Sequence, residues 1–302
     1  MSDFPYASPG DFRRALRDKL KAIAERDGRY TLSELQRQFA YDRALARLFT
    51  SPDAEGWVLK GAGALLARLK VSRHSMDVDV FFDVTDADVD DAVAALRTAL
   101  LVDLGDFFLF AINRVEPLRE EAKGARVNLT ASLGPSVFSS FHIDVVVDTA
   151  MTGTPDLVDP LTDLTVEGLE RPQYRTFPVA DHLADKLAAT VSTFRADGGA
   201  APSSRVKDLV DIAIIASTQE VSADALRVAV STGLAWRGLA APERFLVPDV
   251  EGWRKRYPTV AADAPGEVPT FGEAVALAAR LFNPVLNETA TGVWEPGLGW
   301  AD

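Results

Sequence analysis

The stretch Asp77-Val78-Asp79-Val80-Phe81-Phe82 limits what this chain can fold into more than any other. Charged and aliphatic side chains alternate there with a period of two, which is the pattern of a strand with one buried and one polar face. The two carboxylates therefore project to the same side, with Cα atoms about 7 Å apart. Upstream, Gly56-Trp57-Val58-Leu59-Lys60 reads as a short buried strand, and Gly61-Ala62-Gly63 opens the helical run GAGALLARL. Downstream, Ser140 to Asp148 (SFHIDVVVD) is a further strand and carries Asp144 at its middle among apolar neighbours. An isolated charge in that position is costly, so acids on neighbouring strands call for a compensating cation. Ligands that are all oxygen suit Mg²⁺ or Mn²⁺.

The remaining pattern divides the chain in two. Residues 11–49 read as a helical layer with Leu16, Leu20, Ile23, Leu32, Leu35, Phe39 and Leu48 at three-to-four spacing. A helix is expected over about 86–101, then strands at FFLFAINRV and ARVNLTASL, giving a mixed sheet with those already named. From residue 178 the runs VADHLADKLAATVSTFR, SRVKDLVDIAIIAS, ADALRVAVSTGLAWRGL and FGEAVALAARLF are helical, and Ala196 to Ser204 is the most loop-like interior segment. The expected class is α+β: a domain over 1–177 with a mixed β-sheet flanked by helices, followed by a helical domain over 178–302.

Composition narrows the chemistry. Among 302 residues there is no cysteine, which excludes disulfides, thiolate metal sites and cysteine nucleophiles and fits a reducing, cytoplasmic compartment. The N-terminal segment has no signal-peptide pattern, and no apolar run approaches the roughly 20 residues of a membrane helix. A net charge of −12 argues against a generally basic nucleic-acid coat. Residues 1–50 depart from that balance, with ten Lys and Arg against seven Asp and Glu, a local +3.

Several side chains are candidates for a phosphate- and metal-handling site. Asp77, Asp79 and Asp144 are the metal-ligand candidates, as two-metal phosphoryl transfer needs such a carboxylate set. The backbone amides of Gly61, Ala62 and Gly63 at a helix start suit phosphate oxygens. Lys60 and Arg73 flank the turn and the acidic strand as cations that screen phosphate charge. His74 and His142 lie near this region without metal-binding spacing and read as structural, and Asp148 reads as a strand terminus. Trp236 and Trp253, with Arg237, Arg254, Lys255 and Arg256, mix aromatic and basic character, although core tryptophans beside solvated charges are the commoner case.

The runs FAYDRALARLFTS, VLKGAGALLARL and RHSMDVDVFF, followed by Asp185-Lys186-Leu187 and Arg205-Val206-Lys207-Asp208-Leu209-Val210-Asp211, resemble AbiEii-type nucleotidyltransferases, the MenT-like toxins of bacterial toxin–antitoxin systems. The resemblance covers residues 35–217, and its superfamily is that of DNA polymerase β-like nucleotidyltransferases. It implies Asp77 and Asp79 as metal ligands and Lys186 and Asp208 as further active-site groups. Lys186 would be a point positive charge for a triphosphate oxygen, while Asp208 would either accept a proton from the acceptor hydroxyl or orient a basic partner. Lys207 and Asp211 are additional candidates, with an exposed i,i+4 charge pair as the plainer interpretation. The turn departs from the Gly-Ser or Gly-Gly of such proteins at Ala62, which has no hydroxyl. Ser75, two residues before Asp77, is a candidate to supply one and, by the same resemblance, a regulatory phosphorylation site.

The resemblance implies a metal-dependent transfer of NMP from an NTP to the 3′ end of tRNA, blocking translation, with a cognate antitoxin protein as partner and no membrane role. RNA would approach over the +3 N-terminal helices, Arg195, Arg205 and Lys207. Transfer to a protein hydroxyl, as in AMPylation, or to a small molecule is the alternative within the fold. A catalytically inactive nucleotide-binding regulator is the alternative outside it.

Overall fold

The computed structural model describes residues 4–69, 77–118, 123–196, 199–264 and 267–302. They form two compact units: the described residues up to Thr149 with Asp156–Thr176, and Ala150–Pro155 with Phe177–Asp302.

In the first unit, helices α1 (Pro9–Asp27) and α2 (Leu32–Leu48) make up the expected N-terminal layer. The layer breaks at Gly28, which takes a left-handed φ of +63° as the C-cap of α1, and restarts through a capping box between Thr31 and Glu34. Next come β1 (Trp57–Lys60), α3 (Gly61–Leu69), β2 (Asp77–Phe82), α4 (Val89–Leu100), β3 (Phe108–Pro117), β4 (Gly124–Leu133), β5 (Ser136–Val146), β6 (Asp156–Val158) and β7 (Tyr174–Thr176). The seven strands form one mixed sheet in the order β3-β4-β5-β2-β1-β7-β6, so the unit is α+β with helices flanking the sheet. Strands β3, β4 and β5 form an antiparallel meander, β2 runs parallel to β5, and β1 is antiparallel to β2.

Alternation decides which face of this sheet is buried. Val78 and Val80 of β2, Val127, Leu129 and Ala131 of β4, and Ile143 and Val145 of β5 enter one core with Phe12, Leu16 and Leu20 of α1 and Phe39 and Leu45 of α2. The opposite face therefore collects the intervening polar residues.

Two cations of the +3 N-terminal segment do not face solvent. Arg43 and Arg47, one turn apart on α2, close on Asp106: Arg43 Nε donates to Oδ2 at 2.6 Å and Arg47 Nη2 to Oδ1 at 2.7 Å, with all three side chains buried. Burial opposes the charged carboxylate, but the Arg47 hydrogen bond and both guanidiniums outweigh it and hold Asp106 below its ordinary value. Arg43 and Arg47 are therefore engaged inside the unit, and the segment's other cations are those left for its surface.

The second unit is mainly helical: α5 (Val179–Val191), β8 (Thr193–Ala196), β9 (Gly199–Pro202), α6 (Val206–Thr218), β10 (Val221–Ser222), α7 (Ala223–Trp236), α8 (Val250–Ala262), α9 (Phe271–Leu286), β11 (Val293–Glu295) and β12 (Gly299–Ala301). α5 packs on α6 and α7, and α6 on α8 and α9. The predicted loop at 196–204 instead contains β9, paired antiparallel with β8. Its Gly, Ala and Pro residues read as loop because backbone pairing leaves no side-chain period when the side chains are small. A three-stranded sheet, β10-β11-β12, is also present, which the helical periodicity of this half does not predict. Trp253 is core, with Nε1 donating to the Ser203 carbonyl at 3.0 Å, whereas Trp236 is partly exposed with the Arg237 guanidinium 5.9 Å from its ring centre. Among the described residues no helix is long and apolar enough to cross a membrane.

Candidate active site

The polar face of the first unit's sheet is organised by register into rows. Residues directly opposite each other on paired strands share a face, so one row runs Lys60, Asp79, Asp144, Arg126 across β1, β2, β5 and β4. The adjoining row runs Asp77, His142, Asn128 across β2, β5 and β4. The first row is cationic at both ends and anionic in the middle.

Asp77, His142 and Asp144 each bring one ligand atom into a set whose members lie within 4.8 Å of one another. His142 Nε2 stands 3.6 Å from Asp77 Oδ2, beyond hydrogen-bond range. This nitrogen is buried and, among the described residues, has no hydrogen-bond partner. A divalent cation fits here: it would neutralise two carboxylates and engage an otherwise unsatisfied nitrogen. Asp144 is also held by Arg126, with Nε donating to Oδ1 at 2.8 Å and Nη2 to Oδ2 at 2.6 Å. That hydrogen bonding, with Asp144, Asp77 and Asp79 all nearby, raises the Arg126 pKa against the opposing effect of burial. The charge that Asp144 needs is thus supplied in part by the protein itself.

Asp79 is placed by the turn between β1 and α3. Gly61 has φ +59°, and a Cβ at this position would lie 2.0 Å from Asp79 Oδ2. Glycine is required twice over, by the left-handed backbone and by the approach of the carboxylate. Ala62 and Gly63 continue into the first turn of α3, and a Cβ at Gly63 would meet Leu59 Cδ1 at 3.3 Å. Lys60, at the end of β1, donates to Thr149 Oγ1 at 2.7 Å. Arg73 and Ser75 lie outside the described residues, as does His74.

The second unit gathers the other candidates around α5 and α6. Lys186 Nζ is 2.8 Å from Asp208 Oδ1 and 2.8 Å from Asp211 Oδ2, and Arg205 Nε donates to Asp208 Oδ2 at 2.6 Å. Lys186, Asp208 and Asp211 are all buried. Asp211 is thus part of an interior ion cluster and no member of an exposed stripe, while Lys207 is exposed. Both oxygens of Asp208 are engaged by cations, Oδ1 by Lys186 and Oδ2 by Arg205.

The structure adds two residues to the candidates. His142, structural by the sequence, shares a strand face with Asp144 through its i,i+2 spacing, a signal the sequence contains. Arg126 is one charge in an alternating strand, and only register ties it to Asp144. Asp148 is exposed beyond the end of β5, in keeping with a strand terminus.

A family model described as the nucleotidyl transferase AbiEii toxin of type IV toxin–antitoxin systems matches residues 43–278, well over half of the chain. No curated protein matches it. Among solved structures, MenT4, a nucleotidyltransferase toxin of Mycobacterium tuberculosis H37Rv, superposes with a TM-score of 0.52 at 16% identity, covering 90% of this chain and 98% of that one. JHP933 of Helicobacter pylori aligns with a TM-score of 0.43 at 12% identity over 86% of this chain and 94% of its own. With the acidic sheet face, the glycine turn and this match in view, the chain belongs to the AbiEii family of nucleotidyltransferase toxins.

Proposed function

We propose that the protein transfers NMP from an NTP to the 3′ hydroxyl of tRNA in a divalent-metal-dependent reaction, blocking translation until a cognate antitoxin intervenes. The observation that carries this reading is the convergence of Asp77, His142 and Asp144 on one sheet face beside the turn where Gly61 meets Asp79. Asp77, Asp79 and Asp144 would hold a Mg²⁺ or Mn²⁺, which would supply charge neutralisation to the triphosphate and acidify the attacking hydroxyl.

The chain's own groups do the rest. The amides of Gly61, Ala62 and Gly63 hold phosphate oxygens at the start of α3. Lys60 adds a cation at the edge of that turn, and Arg73 is proposed as a second cation for the phosphates. Lys186 contributes positive charge to the nucleotide, and Asp208 fixes the positions of Lys186 and Arg205 by bonding both. The acceptor oxygen bonds to the α-phosphorus as the bond to pyrophosphate breaks, and pyrophosphate departs. Ser75 is the proposed phosphoacceptor through which a partner silences the site. The cytoplasm, where NTP and tRNA are available, is the proposed compartment.

The net charge of −12 favours a second acceptor class, a protein hydroxyl or a small molecule, because tRNA requires a cationic track. One experiment separates these readings. Purified protein is incubated with total RNA and each α-labelled NTP in Mg²⁺ or Mn²⁺, beside the Asp77→Ala variant. Label on tRNA-sized RNA that vanishes in the variant supports tRNA transfer. Label confined to protein or small molecules moves the assignment to the second class, and absence of label alongside NTP binding identifies an inactive regulator.

A further inference from the structure

We infer that His142 is a direct ligand of the divalent ion, so that the site is a mixed nitrogen–oxygen centre favouring a transition ion such as Mn²⁺ over Mg²⁺. The inference rests on the metal-dependent reading above and goes beyond it by changing the ligand set and the preferred ion.

Three observations carry it. The parallel ladder between β2 and β5 puts His142 opposite Asp77 and, by the two-residue period, on the same face as Asp144. One ligand atom from each of the three lies within 4.8 Å of the other two, so a single ion can engage all three after small side-chain adjustments. The Nε2 atom is buried, 3.6 Å from Asp77 Oδ2, and among the described residues has no hydrogen-bond partner. If Nε2 carries a hydrogen, that donor is buried and unsatisfied; if it carries a lone pair, the lone pair faces two anions. A cation relieves either situation and accepts the lone pair directly.

The chemistry of the donors then sets the preference. Mg²⁺ demands oxygen ligands in near-ideal octahedral geometry and dehydrates reluctantly, so imidazole adds little to its binding. Mn²⁺ and the ions that follow it in the Irving–Williams order accept imidazole nitrogen alongside carboxylates. A carboxylate-only site would discriminate weakly between Mg²⁺ and Mn²⁺, and replacement of one oxygen donor by imidazole widens the gap.

The test is the coordination sphere of Mn²⁺ in the full-length protein without nucleotide. Electron spin-echo envelope modulation is recorded on wild type, on wild type grown with heavy-nitrogen histidine, and on His142→Gln, with Mn²⁺ and Mg²⁺ affinities from calorimetry. The expected result is an imidazole nitrogen coupling that changes with the isotope and disappears in H142Q. Mn²⁺ should bind H142Q about tenfold more weakly, while Mg²⁺ affinity changes less than about twofold. Mn²⁺ bound with no histidine coupling overturns the inference and leaves the metal-dependent reading standing. Absence of Mn²⁺ binding in wild type overturns both. Isotope labelling of the wild type establishes a histidine nitrogen on the ion, and H142Q, beside a His74→Gln control that should keep the coupling, assigns it to His142.

Discussion

Arg126 grips Asp144 through two parallel hydrogen bonds, Nε to Oδ1 at 2.8 Å and Nη2 to Oδ2 at 2.6 Å, across the β4–β5 ladder. A guanidinium therefore sits on a carboxylate proposed to hold a metal, and the two cations compete for it. Removing the arginine leaves a mostly buried carboxylate without its nearest cation, which costs stability in a metal-free buffer. For Arg126→Gln we expect unfolding about 1–3 kcal/mol easier in EDTA. The thermal stabilisation on adding Mn²⁺ should be larger than in wild type. Thermal melts of both proteins with and without the ion check this; an equal metal response in the two would show that arginine and metal do not share Asp144.

Gly61→Ala tests the turn. A Cβ at φ +59°, only 2.0 Å from Asp79 Oδ2, must displace either the backbone or the carboxylate. Backbone strain alone contributes about 1 kcal/mol or more, and the displaced carboxylate adds loss of NTP binding. Gly63→Ala meets a side-chain methyl at 3.3 Å, which can shift, and is expected to retain binding. Fluorescent-NTP titrations of the pair should separate them; equal affinities would contradict the argument.

The Lys186 cluster predicts a stability effect that must be separated from catalysis. Lys186→Met takes from two buried carboxylates the cation they share, leaving Asp208 to Arg205, and is expected to cost about 3–5 kcal/mol in urea unfolding. Adding Asp211→Asn to that variant removes one of the two buried negative charges and should restore part of the loss. If folding recovers and transfer does not, the lysine acts on the nucleotide; if both recover together, its role is structural.

Asp106 gives the molecule an acid-labile element. Its carboxyl is held below the ordinary value, so its contribution to stability is complete above about pH 3.9 and is lost as pH falls through the lower folded value. Asp106→Asn should therefore be less stable than wild type at neutral pH, with a flatter stability profile below about pH 4. Urea midpoints measured across that range check the slope; parallel profiles would exclude the pairing as its source.

The readable parts of the fold were those with a period. Asp77 and Asp79 alternate with Val78 and Val80, and this alone identified the strand and its polar face. Short elements have no such period: β6, β7 and β10 to β12 have two or three residues each, too few for alternation to stand out. Register is a property of strand pairs, so the facing of Arg126 with Asp144, or of His142 with Asp77, could not be read from one strand alone. Arg43 and Arg47 cannot be told from surface cations in the sequence, because their partner, Asp106, is about sixty residues away along the chain.

The helix α1 has a consequence for how such a protein can be cut. The family match begins at residue 43, yet Phe12, Leu16 and Leu20 of α1 are fully buried, and Phe12 packs edge-on against Phe39 and Phe108. Where recognisable ancestry starts is thus not where the folding unit starts. A fragment trimmed to residues 43–278 would lose Phe39 together with α1, expose Phe108 on β3 and strip the sheet of that cover, a recipe for an insoluble product.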